Sequence, residues 1–269
     1  MKVQVKVQVK VWRRVALLAC VCVVTSACGQ GSATFAQSHP PTGPPTIFVA
    51  IGDYGLRSSA SFGEPQDWAQ LFYGESLSRR STLYDLSSDD VSADDLSAPA
   101  GPYVEDLLDG EDARAVALHP DLVAVWVGLP DLLDGMPAAT FGSDLEQVLT
   151  RLDAGQARVL VANIIPIYSF PAYRSCEAEP LACGLSGALP TASRLAAAVS
   201  SYDLAISRAA ADGRASVVDL TGAFTRRLAA NGSSGGSPVV ADPSDLGLTS
   251  AGEQVVAGAF ASAFTATRR

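Results

Sequence analysis

Five short apolar runs set the strongest limit on what this chain can fold into. They are IFVAIG (47–52), STLYDL (81–86), LVAVWVG (122–128), ARVLVANII (157–165) and ASVVDL (215–220). Four are nearly continuous in apolar, often branched residues; STLYDL is the weakest. Runs of this length without alternation suit strands buried on both faces, as in a parallel sheet. Helix-like stretches separate them. EPQDWAQLFYGESLSRR (64–80) begins with acids and ends with arginines, as a helix dipole prefers. SDLEQVLTRLDAG (143–155) carries a Ser/Asp start and a Gly stop. An alanine-rich segment (191–213) and TSAGEQVVAGAFASAF (249–264) complete the set. Trp68, Leu71 and Phe72 stand at helical spacing and read as core. Strand–helix alternation predicts an α/β fold, a three-layer α/β/α sandwich around a mainly parallel, flavodoxin-like sheet. Ligands of such folds bind beyond the carboxyl ends of the strands.

The first 46 residues do not fit that pattern. Residues 1–14 hold Lys2, Lys6, Lys10, Arg13 and Arg14 and no acid, and VALLACVCVV follows. A basic stretch, a short apolar core and small residues describe a secretory signal peptide over 1–27. The apolar run is shorter than the about 20 residues a membrane span needs. Thr25-Ser26-Ala27-Cys28 resembles a bacterial lipobox, with threonine where an aliphatic residue is usual. That resemblance implies cleavage before Cys28 and its lipidation; secretion with an unmodified Cys28 is the alternative. Residues 28–46 are rich in Gly, Ser, Thr and Pro and read as a tether. One α/β domain is expected over 47–267.

Export agrees with cysteine usage. Cys20 and Cys22 fall in the signal, which leaves Cys176 and Cys183 in RSCEAEPLACG. An extracytoplasmic compartment permits a disulfide between them; two free thiols are the alternative. Charge agrees as well. Removing the signal's five basic residues from 19 leaves 14, all arginine, against 28 acids. So acidic a protein is a poor nucleic-acid binder, and its membrane contact would come through lipid at Cys28 rather than a basic patch.

Histidine scarcity narrows the chemistry. His39 sits in the tether, and His119 stands before the third apolar run, at the end opposite the expected site. A multi-histidine metal centre is excluded, and the chain carries no Walker or dinucleotide glycine pattern. No cofactor or metal is expected, and a monomer is. The acids Glu105, Asp106, Asp109, Glu111 and Asp112 read as a solvated face.

The strand ends hold a recognisable order of motifs. Gly52-Asp53-Tyr54 closes the first run, and Gly128-Leu129-Pro130-Asp131 closes the third. Asp242-Pro243-Ser244-Asp245-Leu246-Gly247-Leu248-Thr249-Ser250-Ala251-Gly252 precedes the last helix. Together with VANIIPIYSFP and YDLAISRAAADGRASVVDL, this resembles the SGNH/GDSL hydrolases across about residues 46–265. The resemblance implies a serine nucleophile in Gly-Asp-Ser and a histidine base in a late Asp-x-x-His. It also implies an oxyanion hole of serine, glycine and asparagine donors.

Each of those positions is altered. Tyr54 replaces the serine, and Asp90 falls at the second-block glycine. Pro130 replaces the asparagine and has neither a side-chain amide nor a backbone N–H. Matching LTSAG to the family's tail puts Gly247 at the histidine and Ser244 at the aspartate. Matching DPSDLG to a His-Pro-Ser tail puts Asp242 at the histidine instead. The resemblance therefore carries the fold and not the catalytic residues.

Carboxylates remain near the strand ends. Asp53, Asp131, Asp242 and Asp245, with Tyr54 and Arg57, are the candidates for holding a ligand, an unidentified small molecule or envelope component. A cationic or sugar-like ligand, or Ca²⁺, would suit such oxygens, although the spacing matches no EF-hand loop. The plainer reading is that Asp53 and Asp131 orient turns. Two functions follow: a ligand- or envelope-binding protein without family-type catalysis, or a divergent esterase with another nucleophile and base.

Overall fold

The apolar runs do become strands. The computed structural model describes residues 44–52, 67–86, 104, 110, 112–183, 189–231, 240–241 and 246–267. These lie within one compact unit, Ser38–Arg269. The elements, in order, are β1 (Ile47–Ile51), α1 (Trp68–Ser76), β2 (Thr82–Asp85), α2 (Asp112–Ala117) and β3 (Leu122–Val125). Then come α3 (Leu129–Leu133), α4 (Ala138–Ala154), β4 (Arg158–Ala162), α5 (Pro171–Ala178) and α6 (Ala192–Asp212). β5 (Ser216–Val218), α7 (Leu220–Asn231) and α8 (Ser250–Ala266) complete the order.

The sheet is parallel throughout, in the order β2-β1-β3-β4-β5. Phe48 pairs with Leu83 on one side and with Leu122 on the other. β3 is buried at every residue, which explains its unbroken apolar sequence. One face is covered by α1, α7 and α8, the other by α2, α4 and α6. The expected flavodoxin-like three-layer sandwich is thus observed.

Side chains of two kinds fill the layers. Between α1, α8 and the sheet, Trp68 stacks on Phe260 at 4.5 Å and meets Trp126 edge-on at 5.9 Å. Aromatic pairs add to area burial at such distances. On the opposite face, α4 and α6 approach through small residues, Gly142 lying against Ala205, beside stacked Phe141 and Tyr202. The predicted core pair Trp68 and Phe72 is buried, and Leu71 packs at its margin.

The boundaries of two elements differ from expectation. α4 begins at Ala138, five residues before the expected Ser143, because Phe141 is buried and draws the preceding turn onto the core. The expected acidic face needs correction at Asp112. That side chain is buried and forms a 2.6 Å ion pair with Arg151 across α2 and α4. A run of acids cannot show that one member faces inward toward an arginine 39 positions away.

His119 is exposed in a left-handed turn (φ 49°), its N–H donating to the Val116 carbonyl just before β3. It stands at the amino end of the sheet, as expected.

Candidate functional site

The carboxyl edge of the sheet is built from the residues that follow each strand. β1 ends in Gly52, whose φ of +73° suits glycine; a Cβ there would run into the Trp126 carbonyl oxygen. β3 leads into Gly128, also left-handed (φ 106°), which serves as the N-cap of α3. A Cβ on Gly128 would press on Phe141 and Ile164. Both glycines therefore set the direction in which the chain leaves the central strands.

Pro130 follows directly, buried in the first turn of α3. Its ring suits a helix start, where no N–H is needed for the helix ladder. The same ring removes the donor that the SGNH pattern would place there. Asp131 is fully buried, and its Oδ1 accepts the Val104 N–H at 3.3 Å. That contact ties the head of α3 to a residue 27 positions earlier in the chain.

Gly247 is buried between Leu246 (φ 64°) and Leu248. Leu248 bridges antiparallel to Ala241, and the Thr249 N–H donates to the Val240 carbonyl. Thr249 caps α8 through Oγ1, which accepts from the Gly252 N–H at 3.4 Å. At the position matched to the family's base, in the LTSAG register, there is thus no side chain beyond hydrogen. Asp53, Tyr54, Arg57, Asp90, Asp242, Ser244 and Asp245 lie outside the described residues, as does Cys28. Cys176 is buried on α5, and the side chain of Cys183 is outside the described set.

Two carboxyl-edge arrangements had no place in the sequence reading. The first surrounds Asn163, which follows β4. Its Oδ1 accepts from the Leu220 and Thr221 N–H groups at 2.7 and 3.1 Å, satisfying the start of α7. Asp203 reaches in from α6, where Oδ1 accepts the Ile164 N–H at 3.0 Å and Oδ2 lies 3.2 Å from Thr221 Oγ1. Burial pushes the Asp203 carboxyl above its usual range, against the pull of those hydrogen bonds and with a further push from Asp219. An asparagine ending an apolar run is a readable signal; Asp203 inside an alanine-rich helix is not.

The second arrangement lies at the start of α1. Asp67 is the N-cap, its Oδ1 accepting the Gln70 N–H at 2.7 Å. The neighbouring carboxyl is that of Asp85, the last residue of β2. Burial, with Asp85 adding to it, raises Asp67 to about 6. Glu253 of α8 is buried nearby and accepts the Trp68 N–H at 3.1 Å. Among the described residues, no group of three or more His, Cys, Asp or Glu side chains is arranged to hold a metal ion. No described helix is long and apolar enough to cross a membrane.

No family model matches the sequence, and no curated protein does. Solved structures do. An acetyl xylan esterase, AlAXEase, superposes with a TM-score of 0.54 at 16% identity, covering 81% of this chain and 98% of that one. A member of the lipolytic G-D-S-L family from Veillonella parvula gives 0.52 at 14% identity, covering 81% and 98%. A lipase/acylhydrolase from Enterococcus faecalis gives 0.55 at 15%, covering 82% and 96%. With its 2-1-3-4-5 parallel sheet and its motif order, the chain is a distant member of the SGNH/GDSL hydrolase fold.

Proposed function

We propose that this is an exported, lipid-anchored protein that keeps the SGNH/GDSL scaffold and has given up its hydrolytic mechanism. It acts by binding a small ligand or a component of the cell envelope. One observation carries this reading. Pro130 stands buried at the oxyanion-donor position and has no N–H to offer. Loss of one such donor costs about 10²–10³ in rate. Tyr54 at the nucleophile position and Gly247 at the base position remove the other two parts. A phenol is protonated near neutrality and needs a base that this pattern does not supply.

The test is hydrolysis of p-nitrophenyl acetate and butyrate, together with fluorophosphonate labelling. No turnover and no label are expected. Turnover abolished by Tyr54→Phe would establish the divergent-esterase reading instead. The anchor is tested separately, by mass spectrometry of the mature N-terminus with and without globomycin. A diacylated Cys28 is expected, and an unmodified terminus elsewhere would remove the lipoprotein reading. Pairing of Cys176 with Cys183 is also proposed; a two-dalton mass gain on reduction of the exported protein supports it.

A further inference from the structure

Beyond the end of β4, one hydroxyl proton faces two oxygens. Thr221 Oγ1 lies 2.6 Å from the Ile164 carbonyl oxygen and 3.2 Å from Asp203 Oδ2. A threonine hydroxyl carries a single proton to donate. Ile164 is buried, and among the described residues no backbone N–H reaches its carbonyl. Without the hydroxyl, that oxygen would stand unsatisfied in the interior and carry the full cost of its desolvation. The shorter bond therefore keeps the proton. Asp203 Oδ2 then faces a hydroxyl lone pair, and the 3.2 Å contact is a bond only if the carboxyl brings a proton of its own. Its other oxygen, Oδ1, already accepts the Ile164 N–H at 3.0 Å, as the carbonyl half of an un-ionised acid would.

We propose that Asp203 heads a proton relay: as a neutral acid it donates to Thr221, whose hydroxyl donates on to the Ile164 carbonyl, and ionising Asp203 turns that hydroxyl away from the carbonyl. An ionised carboxylate can only accept, so it competes with Ile164 for the one hydroxyl proton. The relay joins α6, the head of α7 and the exit of β4. Its reversal is a pH-sensitive change at the carboxyl edge, where ligands of this fold bind. The surroundings favour the neutral form. Burial weighs most, while the Ile164 N–H favours the ionised form. α6 packs against β4, β5, α3, α4 and the turn Ile167–Ser169. At the junction of β5 and α7, Asp219 adds a like charge. That carboxylate accepts the Gly222 N–H at 2.7 Å and lies 3.9 Å from Arg226 Nη1. The exit of β4 contributes Asn163, which does not titrate. Asp131 of α3 acts on the Tyr202 phenol rather than on Asp203. Among the described residues, no charge from α4 or the turn and no cation acts on Asp203.

A ¹³C titration of the full chain tests this at two atoms. The Asp203 carboxyl is expected to titrate above the ordinary 3.8. The Ile164 carbonyl, read through the Ile165 amide, should move upfield through the same midpoint as its hydroxyl donor leaves. The Val161 carbonyl in β4 should stay still. Asp203→Asn keeps the acceptor for the Ile164 N–H and supplies an N–H donor to Thr221 at every pH. In that variant the Ile164 carbonyl should hold the wild-type low-pH position throughout. Thr221→Ser keeps the hydroxyl and should keep the coupled movement; Thr221→Val should lose it while Asp203 still titrates. An Asp203 midpoint at or below the ordinary value would overturn the relay. So would an Ile164 carbonyl that does not follow that midpoint, or one that still moves in Asp203→Asn.

Discussion

The two edges of the sheet treat their acids in opposite ways. At the amino edge, Asp121 gathers donors: its Oδ2 accepts from the Thr46 N–H at 2.7 Å, the Thr46 hydroxyl at 2.5 Å and the Ile47 N–H at 3.0 Å. Ser81 Oγ donates to the Pro45 carbonyl beside it at 2.5 Å. These bonds moor the chain as it enters β1. The donors hold the Asp121 carboxyl below its ordinary value, although burial pulls the other way. At the carboxyl edge, Asp67 and Asp203 are pushed up instead, by burial first and by a neighbouring carboxyl next. An acid with its donors supplied is a fixture of the fold. An acid set against another acid costs stability when ionised, and such costs collect at functional sites.

Breaking the carboxyl edge should have the largest effect. Gly52→Ala would add a Cβ against the Trp126 carbonyl and Val127, on a backbone of φ +73°. Strain and overpacking together predict a loss of about 3–5 kcal/mol in urea unfolding. Asn163→Ala, two strands away, should cost about 1–2 kcal/mol, since two N–H groups at the head of α7 lose their acceptor. A Gly52→Ala protein as stable as wild type would mean that the exit from β1 is not held as described.

Asp121→Ala should cost about 1–2 kcal/mol at pH 7, the net worth of charge-assisted bonds near the surface. Its pH dependence is opposite to that of Asp67. A carboxyl lowered in the folded state stabilises above its unfolded value of 3.8, and the benefit is lost as pH falls through the folded value. The stability gap between wild type and Asp121→Ala should therefore narrow below about pH 4. Thermal melts across pH 2.5–7 in the two proteins check this, and a constant gap would count against the mooring.

Much of the frame could be read before the structure. Each of the five apolar runs is a strand; the central β1, β3 and β4 are buried on both faces and leave an unbroken apolar pattern, while the edge strands β2 and β5 are partly exposed. The short helices α2, α3, α5 and α7 were not legible. α3 begins with Leu129-Pro130-Asp131 and owes its existence to the turn at Gly128, not to periodicity. In the site, Pro130 and Gly247 could be placed because their neighbours carry motif spacing. Asp67 and Glu253 could not, since Glu253 of α8 reaches the head of α1, beside Asp67, only through packing. The same limit hid Asp112, whose partner Arg151 is on another helix.

The smallest expected effect is the most specific. Asp67 has a folded value of about 6 against an ordinary 3.8, so the folded state holds its proton more tightly than the unfolded chain does. The stabilisation that this proton provides is complete below about pH 3.8 and is lost as pH rises through about 6. Asp67→Asn removes that dependence while keeping a good N-cap. It should therefore raise the melting temperature at pH 7.5, by no more than about 3 °C for a partly exposed pair. At pH 4, where Asp67 already holds its proton, the difference should vanish. If Asp67→Asn melts below wild type at pH 7.5, Asp67 is an ordinary cap and the contrast between the two edges loses its carboxyl half.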